Sequence, residues 1–436
     1  MSTAKKLIQK LKERKAKIAV IGLGYVGLPL AIEKAKAGFN VVGIDRNIER
    51  VNKVNQGICY IPDVVEEGMD KLVKEGKLKA VNNFKVLKNI DAICICVPTP
   101  LNERREPDIS YIKYVTKQIA KYLHKGQLVS LESTTYPGTT EEIVLPELEK
   151  SGLKVGKDFF LCFSPERVDP GNKQFKLKNT PKVVGGVTKT CSLVAKTLYS
   201  QIIDNVQIVS NPKVAEMEKL LENVFRIVNI ALVDELAMLC RKMKINIWEV
   251  IDTAATKPYG FMPFYPGPGI GGHCIPLDPI YLSWKAKEYG FKTEFIELAS
   301  RISEYMPSYI IELLIDALSK KGKDIRYAKI LVLGVAYKKD INDWRESPSL
   351  KIIELLEERK AKVYYNDPYI PSVKIGGKIW KSVQMTKNLI KSVDCVLIAT
   401  DHSCYSYNDI IKNAKLILDT RGITRFYNKS KKIIIL

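Results

Sequence analysis

Cys274 lies in the stretch Gly267 to Asp278, GPGIGGHCIPLD, behind glycines at 267, 269, 271 and 272 and among prolines at 266, 268 and 276. A thiol on such a loop is a candidate nucleophile, because a thiolate attacks electrophilic carbon and glycine lets a ligand approach the main chain. A Gly/Pro turn around a buried thiol is the structural alternative, and the stretch alone leaves both open. Asp278-Pro279 opens a helical pattern that runs to Gly290, with Asp278 as its N-cap. The start of that helix favours a thiolate nearby. Lys219 and Asn223 are four apart in a long helical pattern, so they share a face and can point at one ligand. A solvated polar stripe is the alternative there. Glu166 follows a strand and Pro165, where a carboxylate can move a proton directly or through water. A surface ion pair with Arg167 competes with that reading.

The elements that must position these groups can be read in chain order. Lys17 to Ile21 is an apolar strand, followed at once by Gly22, Leu23, Gly24, Tyr25, Val26 and Gly27. A helical pattern runs from Leu28 to Ala37, and a second strand, Asn40 to Ile44, ends in Asp45, eighteen residues after Gly27. In this context GxGxxG predicts a dinucleotide site. The turn admits a pyrophosphate to a helix N-terminus, and Asp45 accepts from the adenosine ribose, which favours NAD. Arg46 offers a rival contact to a 2′-phosphate. Further strands at Ala92 to Val97, Leu128 to Glu132 and Phe159 to Ser164 deliver Thr99, Ser133, Thr134 and Glu166 to strand ends, where α/β sheets bind ligands. Turn chemistry explains Thr99 and the Ser133-Thr134 pair equally well. Cys94 and Cys96 alternate with isoleucine, which suits two core thiols better than a metal site.

Asn211-Pro212 starts the longest helical pattern, about 33 residues ending near Lys244 and roughly 50 Å long. Its apolar residues occupy more than one face, which predicts burial on two sides, against two domains and a dimer partner. After a helical region from Phe295 to Lys321 the α/β pattern restarts, with strands at Lys329 to Leu333, Lys362 to Tyr365, Cys395 to Thr400 and Leu416 to Leu418. Lys338, Lys339, Arg345 and Arg421 fall at its strand ends, a cationic set that suits a phosphate-bearing ligand. His402, near Cys395 and Cys404, does not match a metal spacing. The expected fold is α/β, with two Rossmann-like doubly wound domains joined by a long central helix and a helical dimerisation domain. The expected boundaries are 1–210, 211–320 and 321–436.

The chain of 436 residues is 46% hydrophobic and carries a net charge of +21. Its lysines are spread rather than blocked, so a biased genome or charge-rich thermophile surface, or a polyanionic small-molecule substrate, accounts for the charge better than nucleic acid. There is no apolar run long enough for a transmembrane helix and no signal-peptide core at the start. Nine scattered cysteines suit a reducing cytoplasm.

Seven segments in order, GLGYVG, VPTPL, ESTTYPGTT, SPERVDPGN, EMEKLLENVF, GPGIGGHCIPLD and GVAYKKDINDWRES, resemble the UDP-glucose/UDP-N-acetylhexosamine 6-dehydrogenase family. The resemblance spans nearly the whole chain. It implies an NAD-dependent four-electron oxidation of a sugar C6 alcohol to a carboxylate, in service of polysaccharide biosynthesis, by a homodimer or a dimer-based oligomer. It implies Cys274 as the catalytic thiol, Lys219 and Asn223 as its helix partners, Asp278 as a second carboxylate, Glu166 as acid/base and Thr134 as the water-binding threonine. Gly22, Gly24, Tyr25, Val26, Gly27, Asp45, Arg46, Thr99, Ser133, Thr134 and Arg345 fall to the cofactor. Glu166, Arg167, Lys219, Asn223, Tyr265, Gly271, Lys338, Lys339 and Arg421 fall to the UDP-sugar; no metal is implied.

Leu277 stands where the UDP-glucose branch has lysine, and Arg167-Val168-Asp169-Pro170-Gly171 where it has Phe-Leu. Both point to an N-acetylated sugar, UDP-N-acetylglucosamine first, with UDP-N-acetylmannosamine or UDP-glucose as alternatives. Two rivals have other features: a two-electron hydroxy-acid dehydrogenase, which needs no cysteine loop, and a non-enzymatic nucleotide-binding protein.

Overall fold

The computed structural model describes residues 2–61, 68–167, 172, 174–427 and 430–436. Pro62 and Asp63 of the expected irregular region, and Val168 to Gly171 after the glutamate, lie outside the described residues. The chain forms two compact units, Met1–Glu222 with Ile280–Phe291, and Asn223–Pro279 with Lys292–Leu436. Among the described residues no helix is long and apolar enough to cross a membrane.

The first unit is built on an eight-stranded sheet: β1 (Lys17–Ile21), β2 (Asn40–Ile44), β3 (Leu78–Val81), β4 (Ala92–Ile95), β5 (Leu128–Leu131), β6 (Phe160–Phe163), β7 (Lys182–Gly186) and β8 (Val206–Val209). The spatial order is β3-β2-β1-β4-β5-β6-β7-β8, a doubly wound arrangement. Side chains alternate between two cores, as strand periodicity requires. Ile18, Val20, Cys94 and Cys96 enter one, and Ala19, Ile21, Ile93 and Ile95 enter the other. Cys94 and Cys96 are therefore core thiols on one face. All strand pairs are parallel except β6 with β7. A parallel return needs a crossover of a dozen residues or more, usually a helix. No helix lies in the described part of the β6–β7 connection. The reversal brings the first residue of β7, Lys182, to the end of the sheet where β5 and β6 finish.

The second unit holds β9 (Lys329–Leu333), β10 (Lys362–Asn366), a hairpin of β11 (Ser372–Ile375) and β12 (Lys378–Lys381), β13 (Cys395–Ile398), β14 (Ile417–Asp419) and β15 (Ile433–Ile435). Its main sheet is wholly parallel in the order β10-β9-β13-β14-β15. The hairpin turns on Gly376 and Gly377, both at positive φ, the pair of conformations a two-residue turn of this kind needs. Helices Glu294–Ser319 and Pro348–Glu358 cover one face of the sheet through Met306, Ile310, Leu314, Ile352 and Leu356.

The long helix spans Pro212–Met243, 32 residues or about 48 Å. Asn211 Oδ1 accepts the Val214 N–H at 3.1 Å, the expected N-terminal cap. Ala215 and Leu220 enter the core of the first unit, and Ile227, Ala231, Val233 and Ala237 enter clusters of the second. Leu221, Phe225, Leu232, Leu239 and Met243 remain exposed in the single chain.

Candidate functional site

In the first unit the glycines of the β1 turn do three different jobs. Gly22 has φ +92°, and a Cβ there would stand 2.5 Å from the Cys96 carbonyl oxygen. A Cβ on Gly27 would stand 1.8 Å from the Gly22 oxygen, so that residue closes the turn onto the helix Gly27–Lys36. Gly24 has nothing within 4 Å of its Cβ position. Open space over a bare main chain at a helix start is what a pyrophosphate needs. Tyr25 and Val26 pack part-buried against the core beneath.

Asp45, at the end of β2, is 8% exposed and holds the turn: its Oδ2 accepts the Leu23 N–H at 2.9 Å and its Oδ1 the Asn47 N–H at 2.8 Å. A carboxylate has about four acceptor positions, so these bonds leave capacity for ribose hydroxyls. The residues present thus fit a dinucleotide. Arg46 stacks over the Tyr111 ring at 5.1 Å instead of standing alone as a phosphate ligand.

At the neighbouring strand ends, the Ser133 hydroxyl donates to the Val97 carbonyl at 2.7 Å and so ties the end of β5 to that of β4. Thr99 and Thr134 are half-buried in the same two loops. Glu166 Oε1 accepts the N–H of Arg167 at 2.8 Å, and its Oε2 lies 3.5 Å from the Lys182 ammonium. The Arg167 guanidinium does not pair with Glu166. It donates to Glu222 on the long helix, lies 3.5 Å from Glu218 there, and donates to the Pro181 carbonyl at 2.8 Å. Burial and the neighbouring Glu222 push the Glu218 carboxyl up to about 7. Lys219 is half-buried on the same helix.

In the second unit the cysteine loop is held by close neighbours. A Cβ on Gly271 would meet Tyr337 Cβ at 2.6 Å and the Glu346 oxygen at 2.9 Å, and one on Gly267 would meet Arg421 Nη1 at 3.0 Å. The Gly272 N–H donates to the Arg345 carbonyl at 3.0 Å, and the Gly267 N–H to Asp234 Oδ1 at 2.9 Å. Gly271 is thus closed in by Tyr337 and the Glu346 main chain, whereas the neighbour at Gly267 is the far end of the Arg421 side chain. Cys274 is half-buried, and its carbonyl accepts the Leu277 and Asp278 N–H groups at 3.1 and 2.8 Å. It therefore sits on the turn that winds into the helix Asp278–Ala286, whose first residue is Asp278 itself. Asp278 Oδ2 accepts the Asn223 Nδ2–H at 2.6 Å, with both residues buried. Asn223 keeps its second amide N–H for another acceptor.

Several expected ligand contacts have other partners here. Arg345 makes a bidentate pair with Asp343, 2.9 Å from Nε and 2.6 Å from Nη2. Tyr265 stacks on Trp248 with centroids 5.5 Å apart and donates its hydroxyl to Asp252 at 2.8 Å. Arg421 donates through Nε to the Ala399 carbonyl at 2.8 Å. Lys338 is half-buried and Lys339 exposed on the loop after β9.

That loop is held by two residues to which the sequence reading gave no role of this kind. Asp367, at the end of β10, accepts the N–H groups of Val335, Ala336, Tyr369 and Ile370 at 2.7 to 3.1 Å. Buried His402 lies with Nε2 3.1 Å from Asp367, and its Nδ1 accepts the Asp340 N–H at 2.9 Å. Asp367 occupies in this sheet the place Asp45 occupies in the other. Five partners saturate it, however, so it has no capacity for a ribose. Lys182 and Glu132 were likewise missed: Glu132 opens the ESTTYPGTT segment but was given no role, Lys182 stands in no motif, and only the β6–β7 reversal brings the two together.

Three family models match in succession, all of the UDP-glucose/GDP-mannose dehydrogenase family: its NAD binding domain at residues 16–203, its central domain at 213–305 and its UDP binding domain at 331–426. The chain is 37% identical over 419 residues to a UDP-N-acetyl-D-mannosamine dehydrogenase of Pyrococcus horikoshii, covering 94% of this chain and 96% of that protein. It is 38% identical over 356 residues to a UDP-N-acetyl-D-glucosamine 6-dehydrogenase of Pseudomonas aeruginosa, covering 81% and 83%. The solved structure of a UDP-D-ManNAc dehydrogenase from Pyrococcus horikoshii matches with a TM-score of 0.85 at 36% identity, over 96% of this chain and 98% of that one.

Proposed function

The chain belongs to the UDP-glucose/GDP-mannose dehydrogenase family and is an NAD-dependent UDP-sugar dehydrogenase, and from that premise we propose that it oxidises a UDP-N-acetylhexosamine at C6 to the hexosaminuronate. The observation that carries this is the buried Asn223–Asp278 pair at 2.6 Å beside the turn that bears Cys274. A two-electron dehydrogenase has no use for a nucleophile there. UDP-N-acetylglucosamine is the first substrate of this reading, on the GGHCIPLD and PER forms of the loops. UDP-N-acetylmannosamine is the second, because the relative matched over 94% of this chain carries that name.

NAD, when bound, accepts the hydride in each of the two oxidations. The Cys274 thiolate adds to the C6 aldehyde and gives a thiohemiacetal, which makes a carbonyl carbon into a hydride donor and ends as a thioester. Lys219 and the second amide N–H of Asn223 stabilise the negative oxygen of the adduct. Asp278 and Thr134 hold the water that cleaves the thioester, and Glu166 takes its proton. Lys338, Lys339 and Arg421 bind the diphosphate. The same reading places the enzyme in the cytoplasm. It also pairs two copies through the central segment 211–320, between the cofactor and UDP-sugar segments.

The reading requires two NADH per UDP-sugar with no aldehyde released. A stoichiometry of one would rule out the thioester route. Initial rates on UDP-N-acetylglucosamine, UDP-N-acetylmannosamine and UDP-glucose rank the substrates, and a preference of tenfold or more for UDP-glucose would overturn the N-acetylhexosamine reading. Cys274→Ala should lower uronate formation by roughly a thousandfold, about 4 kcal/mol of barrier, and leave nucleotide binding intact.

A further inference from the structure

The side chain of Lys182 is 3% exposed and that of Glu132 fully buried. The ammonium lies 2.9 Å from Glu132 Oε2 and 3.5 Å from Glu166 Oε2, and it donates to the Pro165 carbonyl at 3.1 Å. Glu132 Oε1 in turn accepts the Tyr199 hydroxyl at 2.7 Å. One cation thus ties together three chain segments: the end of β5, which leads into Ser133-Thr134, the end of β6, which leads into Glu166, and the start of β7. A lysine this deep is retained only when paired. Burial alone pulls its proton affinity down, and the two carboxylates more than offset this.

Among the described residues, Cys96 and Arg167 are further titratable or charged groups near Glu166. Cys96 follows β4, its thiol pushed well up by burial and also by the charges of Glu132 and Glu166. The Arg167 guanidinium is occupied by Glu218 and Glu222. Among the described residues Lys182 is the buried cation within 3.5 Å of Glu166, and it is shared with Glu132.

We propose that Lys182 is a positioning residue for Glu166, keeping that carboxylate ionised and aimed while Glu132 sets how much of the ammonium's charge it receives. The inference rests on the reading of Glu166 as the base of thioester hydrolysis. Its physical content is a pair of opposite shifts. Removing the cation disfavours the charged form of Glu166, and removing the competing carboxylate favours it. An opposite charge at this range moves a carboxyl by about one to three pH units.

The test is the pH profile of steady-state turnover and of uronate release in a single turnover, from pH 5 to 9, with UDP-N-acetylglucosamine and NAD. Lys182→Met should raise the acid limb by about one unit or more, a loss of tenfold or more below the limb, with KM for the sugar unchanged. Glu132→Gln should lower the limb. Lys182→Arg should restore the wild-type position. Limbs that stay put, or that move in the same direction, in folded Lys182→Met and Glu132→Gln would overturn the proposal. If Lys182→Met does not fold, a limb in Glu132→Gln that fails to fall overturns it alone. Glu166→Gln separates the two readings: wild-type rate and limb in that variant would remove Glu166 as the base. A lost limb there with unmoved limbs in the other variants would remove Lys182 only.

Discussion

Asp234 has no exposed surface, and one of its two oxygens, Oδ1, accepts the Gly267 N–H. Its Oδ2 meets no hydrogen-bond partner among the described residues. Burial pushes this carboxyl up to about 8, against the opposing pull of the Gly267 N–H and the Arg421 charge. The sign of the consequence follows from proton linkage. The folded state holds a proton that the unfolded chain releases near 4, so the stability from this group is full below about 4 and falls as pH rises towards 8. Asparagine keeps the acceptor for Gly267 and cannot ionise. Asp234→Asn should therefore match the wild type in melting temperature at about pH 4 and exceed it at pH 8. A gain of roughly 1–3 kcal/mol, a few degrees, is the size expected for relief of one buried unsatisfied group. Melting curves at the two pH values decide it. An equal loss at both would mean that the carboxylate is ionised and paired in the native state. Asp367 is the contrast: buried as deeply, it is held below the usual carboxylate range by His402 and by backbone N–H groups, despite the upward push of burial. The difference between the two aspartates is donor count.

At the scale of elements, the β1 turn allows two glycines to be separated by what surrounds them. Gly27→Ala forces a Cβ to within 1.8 Å of a carbonyl oxygen of its own turn. It should destabilise the first unit by about 3–5 kcal/mol, at the severe end for a single substitution. Gly24→Ala meets nothing within 4 Å. It should leave the melting temperature within about 2 °C and weaken NAD binding tenfold or more, since the methyl stands where the cofactor's pyrophosphate must pass. Calorimetry with and without NAD checks both, and normal NAD affinity in Gly24→Ala would move the pyrophosphate elsewhere.

This turn was legible in the sequence because all its parts fall within thirty residues and each part has its own signature. The long helix was legible for the same reason, from an Asn-Pro start and an uninterrupted apolar pattern. Other features were not. β3 is short and weakly patterned, and the local signals of the Gly376-Gly377 turn and of the Ile433–Ile435 run were passed over. The Lys182–Glu132 pair joins residues fifty apart, and His402–Asp367 residues thirty-five apart. Those pairings are set by strand order and direction, which no local pattern contains. Gly267 and Gly271 were seen as special, but their close neighbours Tyr337, Glu346 and Arg421 come from a distant segment, which no local pattern contains.

For the molecule as a whole, the exposed residues of the long helix offer an apolar face to a second copy. Val214, Met217, Leu221, Phe225, Leu232, Leu236, Leu239 and Met243 are all at least 38% exposed, and their spacing of three, four or seven keeps them on one stripe. A face about 48 Å long and roughly 10 Å wide offers on the order of 500 Å² per chain, near the lower bound of a specific interface when doubled. Further exposed apolar residues in the central segment, among them Phe261, Met262 and Phe295, extend the available area. The charge works the other way: each chain carries +21, so two chains repel until salt screens them. An apolar interface on such a chain should tighten as ionic strength rises, whereas one held by ion pairs should loosen. Light scattering coupled to gel filtration should therefore give twice the 49.2 kDa chain mass, with the paired fraction rising between 50 and 500 mM salt. Leu221→Glu combined with Leu239→Glu should return the single-chain mass, because each buried glutamate would have to be desolvated without a partner. A wild type that runs at the single-chain mass, or a double variant that still pairs, would place the copies' contact elsewhere or remove it.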